Sequence, residues 1–148
     1  MEEQNLIYDW NVVDYEYSRN PANHPHGVWF DDETLRDGLQ SPSALNPSIE
    51  QKIELLTYME NLGIQKVDLG LPGAGPFHRE HIDAMLTHIN DNDFKIRPGA
   101  AVRTLMNDIE PLVEMQAKHG MQIQASAFLG TSPCLLYTSD AADEQQRG

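Results

Sequence analysis

The stretch that decides the fold spans residues 32–40 and reads DETLRDGLQ. The apolar run at residues 28–30, VWF, precedes it and suits a short buried strand. Gly38 follows the adjacent pair Arg36 and Asp37 and permits a backbone turn that is closed to other residues. Charged side chains at the C-terminal end of a strand lie where parallel α/β folds place their chemistry.

From residue 28 onward, strand and helix patterns alternate with a period of about 30 residues, as a parallel βα architecture requires. We predict strands at residues 28–30, 67–71, 95–102 and 122–129. Pro98 weakens the third prediction, because proline cannot donate to a strand ladder. The loop at residues 72–76 reads PGAGP and lacks the lysine and hydroxyl of a phosphate loop, so we expect a tight βα connection.

Three helix patterns separate these strands. Asn46 is the expected N-cap of the first helix, Pro47 its first residue and Gly63 its left-handed end. Asn107 or Asp108 is expected to cap the third helix, which ends at Gly120. The apolar stripes that should face the core are Ile49, Ile53, Leu56 and Met59; Ile82, Met85, Leu86 and Ile89; and Ile109, Leu112, Val113 and Met115 or Gln116.

The composition limits the function classes. The 148 residues carry 23 acidic and 10 basic side chains, a net charge of −13, which argues against a nucleic-acid or anionic-membrane surface. No apolar run approaches the roughly 20 residues that a membrane helix needs. The scarcity of cysteine and the lack of an apolar signal segment at the N-terminus favour a cytoplasmic location.

The DETLRDGLQ stretch resembles the D-x-T-L-R-D-G-x-Q signature of the isopropylmalate synthase and hydroxymethylglutaryl-CoA lyase superfamily. Three further blocks match in order, GIQKVDLGLPGAGP, AAVRT and FLGTSP, so the resemblance covers residues 28 to 133. TLRDG and GLPGAGP look more like the 2-isopropylmalate synthase branch, while DGLQ is shared with the lyases. The resemblance implies a metal-dependent (β/α)8 (TIM) barrel.

Such a barrel needs roughly 200 to 250 residues, so we expect an α/β chain that holds about three and a half βα units, the N-terminal part of a TIM barrel. Residues 27–133 are the expected barrel segment, and residues 1–26 an extension before it. Residues 134–144 resemble the translation of a sequencing adapter, and we therefore predict that residues 134–148 are a non-native tail. This removes Cys134 as a candidate nucleophile or metal ligand.

The resemblance assigns the first two site residues. Asp37 corresponds to the family's metal ligand, and its hard oxygens suit a divalent Mg, Mn or Zn ion. Arg36 corresponds to the arginine that stabilises an oxyanion on a 2-oxo acid or an enolate. The family's two remaining metal ligands are histidines in an H-x-H pattern, which would lie beyond residue 133.

Four further residues are candidates at the same rim. Asp68 lies where many relatives carry glutamate and could orient Arg36 or bind a metal-linked water. Gln40 could hydrogen bond to substrate or simply complete a turn. Arg103 could bind a substrate carboxylate or form an ordinary salt bridge, and Thr131 follows the fourth strand toward the same rim.

The histidines are weaker candidates. His24 and His26 form an H-x-H pattern, but they precede the first strand and should lie toward the face opposite the active site. His78 and His81 lie three apart at the start of a helix, and a solvated helix face explains them better than a metal site.

The function that the resemblance implies is an acyltransferase in which acetyl-CoA is the co-substrate and its enolate attacks a metal-bound 2-oxo acid. The parent enzyme would be a homo-oligomer of amino-acid biosynthesis. The alternative is a lyase that cleaves a 3-hydroxy-acyl-CoA with the same metal and arginine. A third possibility is that the fragment itself is catalytically inactive.

Overall fold

The computed structural model describes residues 29–130 as one parallel sheet with three helices, which confirms the α/β prediction. Its four strands lie in the order β1-β2-β3-β4. The elements in chain order are β1 (Asp31–Asp32), α1 (Ile49–Leu62), β2 (Lys66–Asp68), α2 (Pro76–Asp91), β3 (Arg97–Arg103), α3 (Met106–His119) and β4 (Gln124–Phe128). Short 3-10 turns occupy Gly38–Gln40 and Pro72–Ala74.

The strand register brings the C-terminal ends of all strands to one edge. Asp32 pairs with Val67, and Asp68 pairs with Gly99. The pairing of β3 with β4 ends at Arg103 and Phe128. Because all three pairings are parallel, the turn after β1, the loop after β2 and the end of β3 lie side by side. We call this edge of the sheet the rim.

The second helix packs as its sequence pattern predicts. Its stripe, Ile82, Met85, Leu86 and Ile89, is fully buried. In α1, Leu56 and Met59 are buried, whereas Ile49 and Ile53 pack at the margin of the core. The i, i+3, i+4 spacing of these apolar residues therefore accounts for which face of each helix packs against the core.

The third helix is rotated relative to the prediction. Its buried face carries Asp108, Pro111, Leu112 and Met115, while Val113 is exposed. Placing Val113 on the core side was therefore wrong. The physical reason is that the carboxylate of Asp108 takes an inner position, where it binds Arg103.

The first strand also differs from the prediction of a buried VWF strand. The strand lies at Asp31–Asp32, on the edge of the sheet, and Phe30 just before it is 65% exposed. Trp29 is covered by the guanidinium of Arg97, 4.3 Å from its ring centroid, rather than by the core. Both aromatic side chains precede the strand and are largely exposed among the described residues.

Two of the predicted helix caps were wrong and two were confirmed. Ser48, not Asn46, caps α1 in a capping box. The Ser48 hydroxyl accepts a hydrogen bond from the Gln51 N–H, and the Ser48 N–H donates one to the Gln51 side chain. The N-cap of α3 is Leu105, without a side-chain bond. Gly63 and Gly120 end their helices in the left-handed conformation, with φ of 76° and 63°.

Pro98 lies inside β3 without breaking it. Its partner on β2 is Val67, and the pairing with β4 begins one residue later, at Gly99 and Gln124. The strand therefore accommodates proline where the ladder with β4 has not yet started. None of the helices within residues 29–130 is long and apolar enough to cross a membrane.

Candidate active site

The turn after β1 is fixed by its own backbone. The carbonyl oxygen of Glu33 accepts hydrogen bonds from the N–H groups of Arg36 and Gly38, at 3.1 and 3.0 Å. Asp32 also stabilises the turn, because its Oδ1 accepts a hydrogen bond from the Thr34 N–H at 2.8 Å. Gly38 does not adopt a positive φ, and an added Cβ would meet only ordinary contacts, so the prediction that this turn demands glycine was wrong.

Arg36 lies among three carboxylates. Its guanidinium forms ion pairs with Glu33, with Asp37 Oδ1 at 3.2 Å and with Asp68 Oδ2 at 3.5 Å. The structure thus brings together Arg36 and Asp37, which lie in the turn after β1, and Asp68, the last residue of β2. Glu33 was not predicted, although an acidic residue three positions before an arginine in a tight turn is the signal that could have identified it.

Asp68 is a buried carboxylate with one oxygen unsatisfied. Its side chain is only 4% exposed, and its Oδ1 accepts from the Gly70 N–H at 2.9 Å. Neither Asp68 Oδ2 nor the neighbouring Arg36 Nε has a hydrogen-bond partner among the described residues. Burial raises the pKa of Asp68, and the charge of Glu33 adds to this, against the lowering effects of the Gly70 N–H and Arg36.

This raised pKa gives a pH-dependent prediction for Asp68→Asn. The folded chain holds the Asp68 proton more tightly than the unfolded chain, so ionisation costs stability as the pH rises from 3.8 through the raised pKa. The asparagine does not titrate and keeps an acceptor for Gly70. We expect the free energy of unfolding of Asp68→Asn, relative to wild type, to increase over this window in urea titrations. Parallel pH profiles of the two proteins would contradict the assignment.

Asp37 is the most accessible carboxylate of the group. Its side chain is 65% exposed, and one of its oxygens accepts from Arg36. A hard divalent cation fits the remaining oxygen as a single ligand. Within residues 29–130, however, no group of three His, Cys, Asp or Glu side chains could hold a metal ion. The described residues therefore offer one candidate metal ligand and not a complete site.

Gln40 ends the 3-10 turn beside this group. Its N–H donates to the carbonyl of Asp37 at 3.0 Å, and the residue is exposed at the rim. Its role toward a substrate stays a prediction. Thr131 and the pair His24 and His26 lie outside the described residues, 29–130.

Arg103 is held by a carboxylate of the chain itself. Its Nε and one terminal nitrogen donate to the two carboxylate oxygens of Asp108, both at 2.7 Å, and its backbone N–H donates to Oδ2 at 2.9 Å. These bonds lower the pKa of Asp108, which is fully buried. The sequence analysis gave Asp108 only as a helix cap. Asp108 thus occupies the guanidinium nitrogens with which Arg103 was expected to bind a substrate carboxylate.

The loop after β2 is packed against this ion pair. A Cβ on Gly73 would lie 1.7 Å from Asp108 Oδ1, so only glycine fits there. Arg79 holds the same loop, since its Nε donates to the carbonyl of Pro72 at 3.0 Å. The loop is therefore a tight βα connection, as predicted, fixed between α2 and the start of α3.

Comparisons with known proteins identify the family to which the sequence is similar. The HMGL-like family model matches residues 28–145. A 2-isopropylmalate synthase of Sediminispirochaeta smaragdinae is 31% identical over 111 residues, which cover 74% of this chain and 20% of that protein. A 2-isopropylmalate synthase of Methylococcus capsulatus is 31% identical over 102 residues, 69% of this chain and 19% of its own length.

The chain therefore spans about a fifth of the length of the curated relatives it matches. No solved structure matches it. Its four parallel strands and three helices have the order of the first part of the TIM barrel found in this family. The match over most of the sequence, together with the strand order, shows that the chain belongs to the HMGL-like family.

Proposed function

We propose that the chain is the N-terminal part of a divalent-metal-dependent acyltransferase that condenses acetyl-CoA with a 2-oxo acid, similar to 2-isopropylmalate synthase. The observation that carries the proposal is the placement of Arg36 between Asp37 and Asp68 at the rim. The names of the relatives support the same class of reaction.

Arg36 would stabilise the oxygen charge that develops during the reaction. Its side chain is 25% exposed, so the guanidinium is partly shielded from water but open toward the rim. Donors fixed in advance in such a shielded site stabilise a developing oxyanion more strongly than water does. The ion pair with Glu33 holds the guanidinium in place before a substrate arrives.

Asp68 would act as a positioning residue. The Gly70 N–H fixes its Oδ1, which leaves Oδ2 3.5 Å from Arg36 Nε. A small movement of the arginine would turn this contact into a direct hydrogen bond. The shorter aspartate, in place of the glutamate of many relatives, thus still reaches Arg36.

Asp37 would hold the divalent metal, together with ligands from elsewhere in the enzyme, and the bound ion would polarise the carbonyl of the 2-oxo acid. Since residues 29–130 supply a single ligand, we expect the 148-residue chain alone to show no turnover.

The experiment that tests the proposal is a pair of assays on the full-length enzyme. We expect release of free thiol from acetyl-CoA that depends on both 2-oxoisovalerate and a divalent metal ion. Hydroxymethylglutaryl-CoA should not be cleaved. Cleavage of that thioester without any acetyl-CoA-dependent thiol release would instead establish the lyase alternative, with which the DGLQ sequence is shared.

A further inference from the structure

A buried lysine without a counter-ion lies near the start of α1. Lys52 is only 4% exposed, and its Nζ lies 5.9 Å from the ring centroid of Phe77 at the start of α2. Among residues 29–130, no carboxylate forms an ion pair with it. Burial lowers the pKa of Lys52. Its Nζ makes no hydrogen bond among the described residues and is not one of the atoms closed off from solvent, so the stem is buried while the ammonium stays within reach of an anion.

Two histidines lie around the same phenylalanine ring. The centroid of the His81 ring is 4.1 Å from that of Phe77, and the His78 ring is 5.6 Å away on another side. His81 Nδ1 is buried and has no hydrogen-bond partner among the described residues. Burial lowers the pKa of His81, and the nearby charges of Lys52 and His78 lower it further.

The acidic neighbours do not neutralise this group. Glu50 and Glu80 are close enough to favour the charged form of His81. Glu50 accepts a hydrogen bond from the Ser48 hydroxyl at 2.7 Å, and neither glutamate forms an ion pair with Lys52. The Phe77 ring thus has one lysine and two histidines beside it, in a chain whose net charge is −13.

We propose that Lys52 and His81 bind a phosphate group, and that the phosphates of coenzyme A are its source. A phosphate oxygen would give the Lys52 ammonium its missing counter-ion and would accept a hydrogen bond from His81 Nδ1. Both helices begin on the side of the sheet where β1 and β2 end, so the cluster lies on the same side as Arg36. The choice of coenzyme A rests on the proposed function, whereas the phosphate site rests on the cluster alone.

Phosphate binding can be measured on the 148-residue chain by NMR titration at constant ionic strength, with inorganic phosphate, coenzyme A and pantetheine. We expect phosphate and coenzyme A to bind, and pantetheine, which has no phosphate, to leave the Phe77 and His81 signals unchanged. Lys52→Met should weaken phosphate binding by about tenfold or more, the effect of losing one charged hydrogen bond. Lys52→Arg should retain most of it.

The matched control is Lys95→Met, which removes an exposed lysine from the loop before β3. It should bind phosphate as wild type does. Equal phosphate affinity of Lys52→Met and wild type would overturn the proposal. Binding of phosphate without binding of coenzyme A would overturn the choice of source. If the full-length enzyme released no thiol while phosphate binding still depended on Lys52, the proposed function would be overturned and this site would not.

Thermal stability gives a second readout. Without ligand, Lys52→Met should have a Tm equal to or higher than that of wild type, because methionine keeps the buried stem and removes a charged group that burial disfavours. Phosphate should raise the Tm of wild type but not that of the variant. A lower Tm for Lys52→Met without ligand would show that the lysine has a structural partner, and would contradict the proposal.

Discussion

Replacing Arg36 with methionine is expected to lower the kcat of the full-length enzyme by about 10²- to 10³-fold, the usual cost of losing one oxyanion-stabilising donor. The guanidinium lies among Glu33, Asp37 and Asp68, and no other cation of the described chain pairs with these three carboxylates. Methionine keeps much of the side-chain volume but removes every donor. Steady-state thiol release with saturating substrates measures the effect.

The matched control for Arg36 is Arg97→Met. Arg97 stacks on Trp29 at the opposite end of the strands, so its loss should leave kcat within about twofold of wild type. Arg36→Lys should recover only part of the rate, since an ammonium cannot reproduce the planar fork. A kcat for Arg36→Met that equals that of Arg97→Met would show that Arg36 is only a structural ion-pair partner.

Gly73→Ala should be the most destabilising single substitution among the glycines with a negative φ. The new Cβ would lie 1.7 Å from Asp108 Oδ1, so either the loop or the carboxylate must move. Moving Asp108 breaks its bonds to Arg103, and disrupting a buried ion pair costs about 3–5 kcal/mol. Because Arg103 is 46% exposed and can be solvated, we expect a loss of about 2–3 kcal/mol.

Urea unfolding of the 148-residue chain measures this loss, with Gly38→Ala as the control. A Cβ on Gly38 would meet its nearest atom at 3.7 Å, so that variant should stay within about 0.5 kcal/mol of wild type. Asp108→Ala removes the obstructing carboxylate. The double variant Gly73→Ala with Asp108→Ala should therefore be about as stable as Asp108→Ala alone. Additive losses would contradict the close contact.

The parts of the fold that the sequence predicted correctly depend on short-range patterns. The stripe of α2 repeats at helical spacing, and Gly63 ends α1 because glycine adopts a left-handed φ without a steric penalty. The candidate site residues Arg36 and Asp37 were proposed from a nine-residue motif, and their roles stay a prediction. Each of these patterns lies within one turn or one helix. It can therefore be read from the sequence without knowing which elements pack together.

The features that sequence reasoning missed depend on contacts between elements. Asp108 looks like a helix cap until β3 brings Arg103 against it. Lys52 is not part of the apolar stripe predicted for α1, and it is buried because Phe77 of α2 lies beside it. Trp29 and Phe30 have the composition of a buried strand, but the strand begins after them, at Asp31, and Trp29 packs on Arg97.

We propose that the rim around Arg36, Asp37 and Asp68 belongs to an enzyme that forms a carbon–carbon bond from acetyl-CoA. Carbon-13 NMR of the full-length enzyme with methyl-labelled acetyl-CoA, 2-oxoisovalerate and a divalent metal ion tests it most directly. The account predicts that the label appears as a methylene carbon bonded to the former keto carbon, and that Arg36→Met slows its appearance. Label that remains in acetyl-CoA or appears only as acetate would contradict the account.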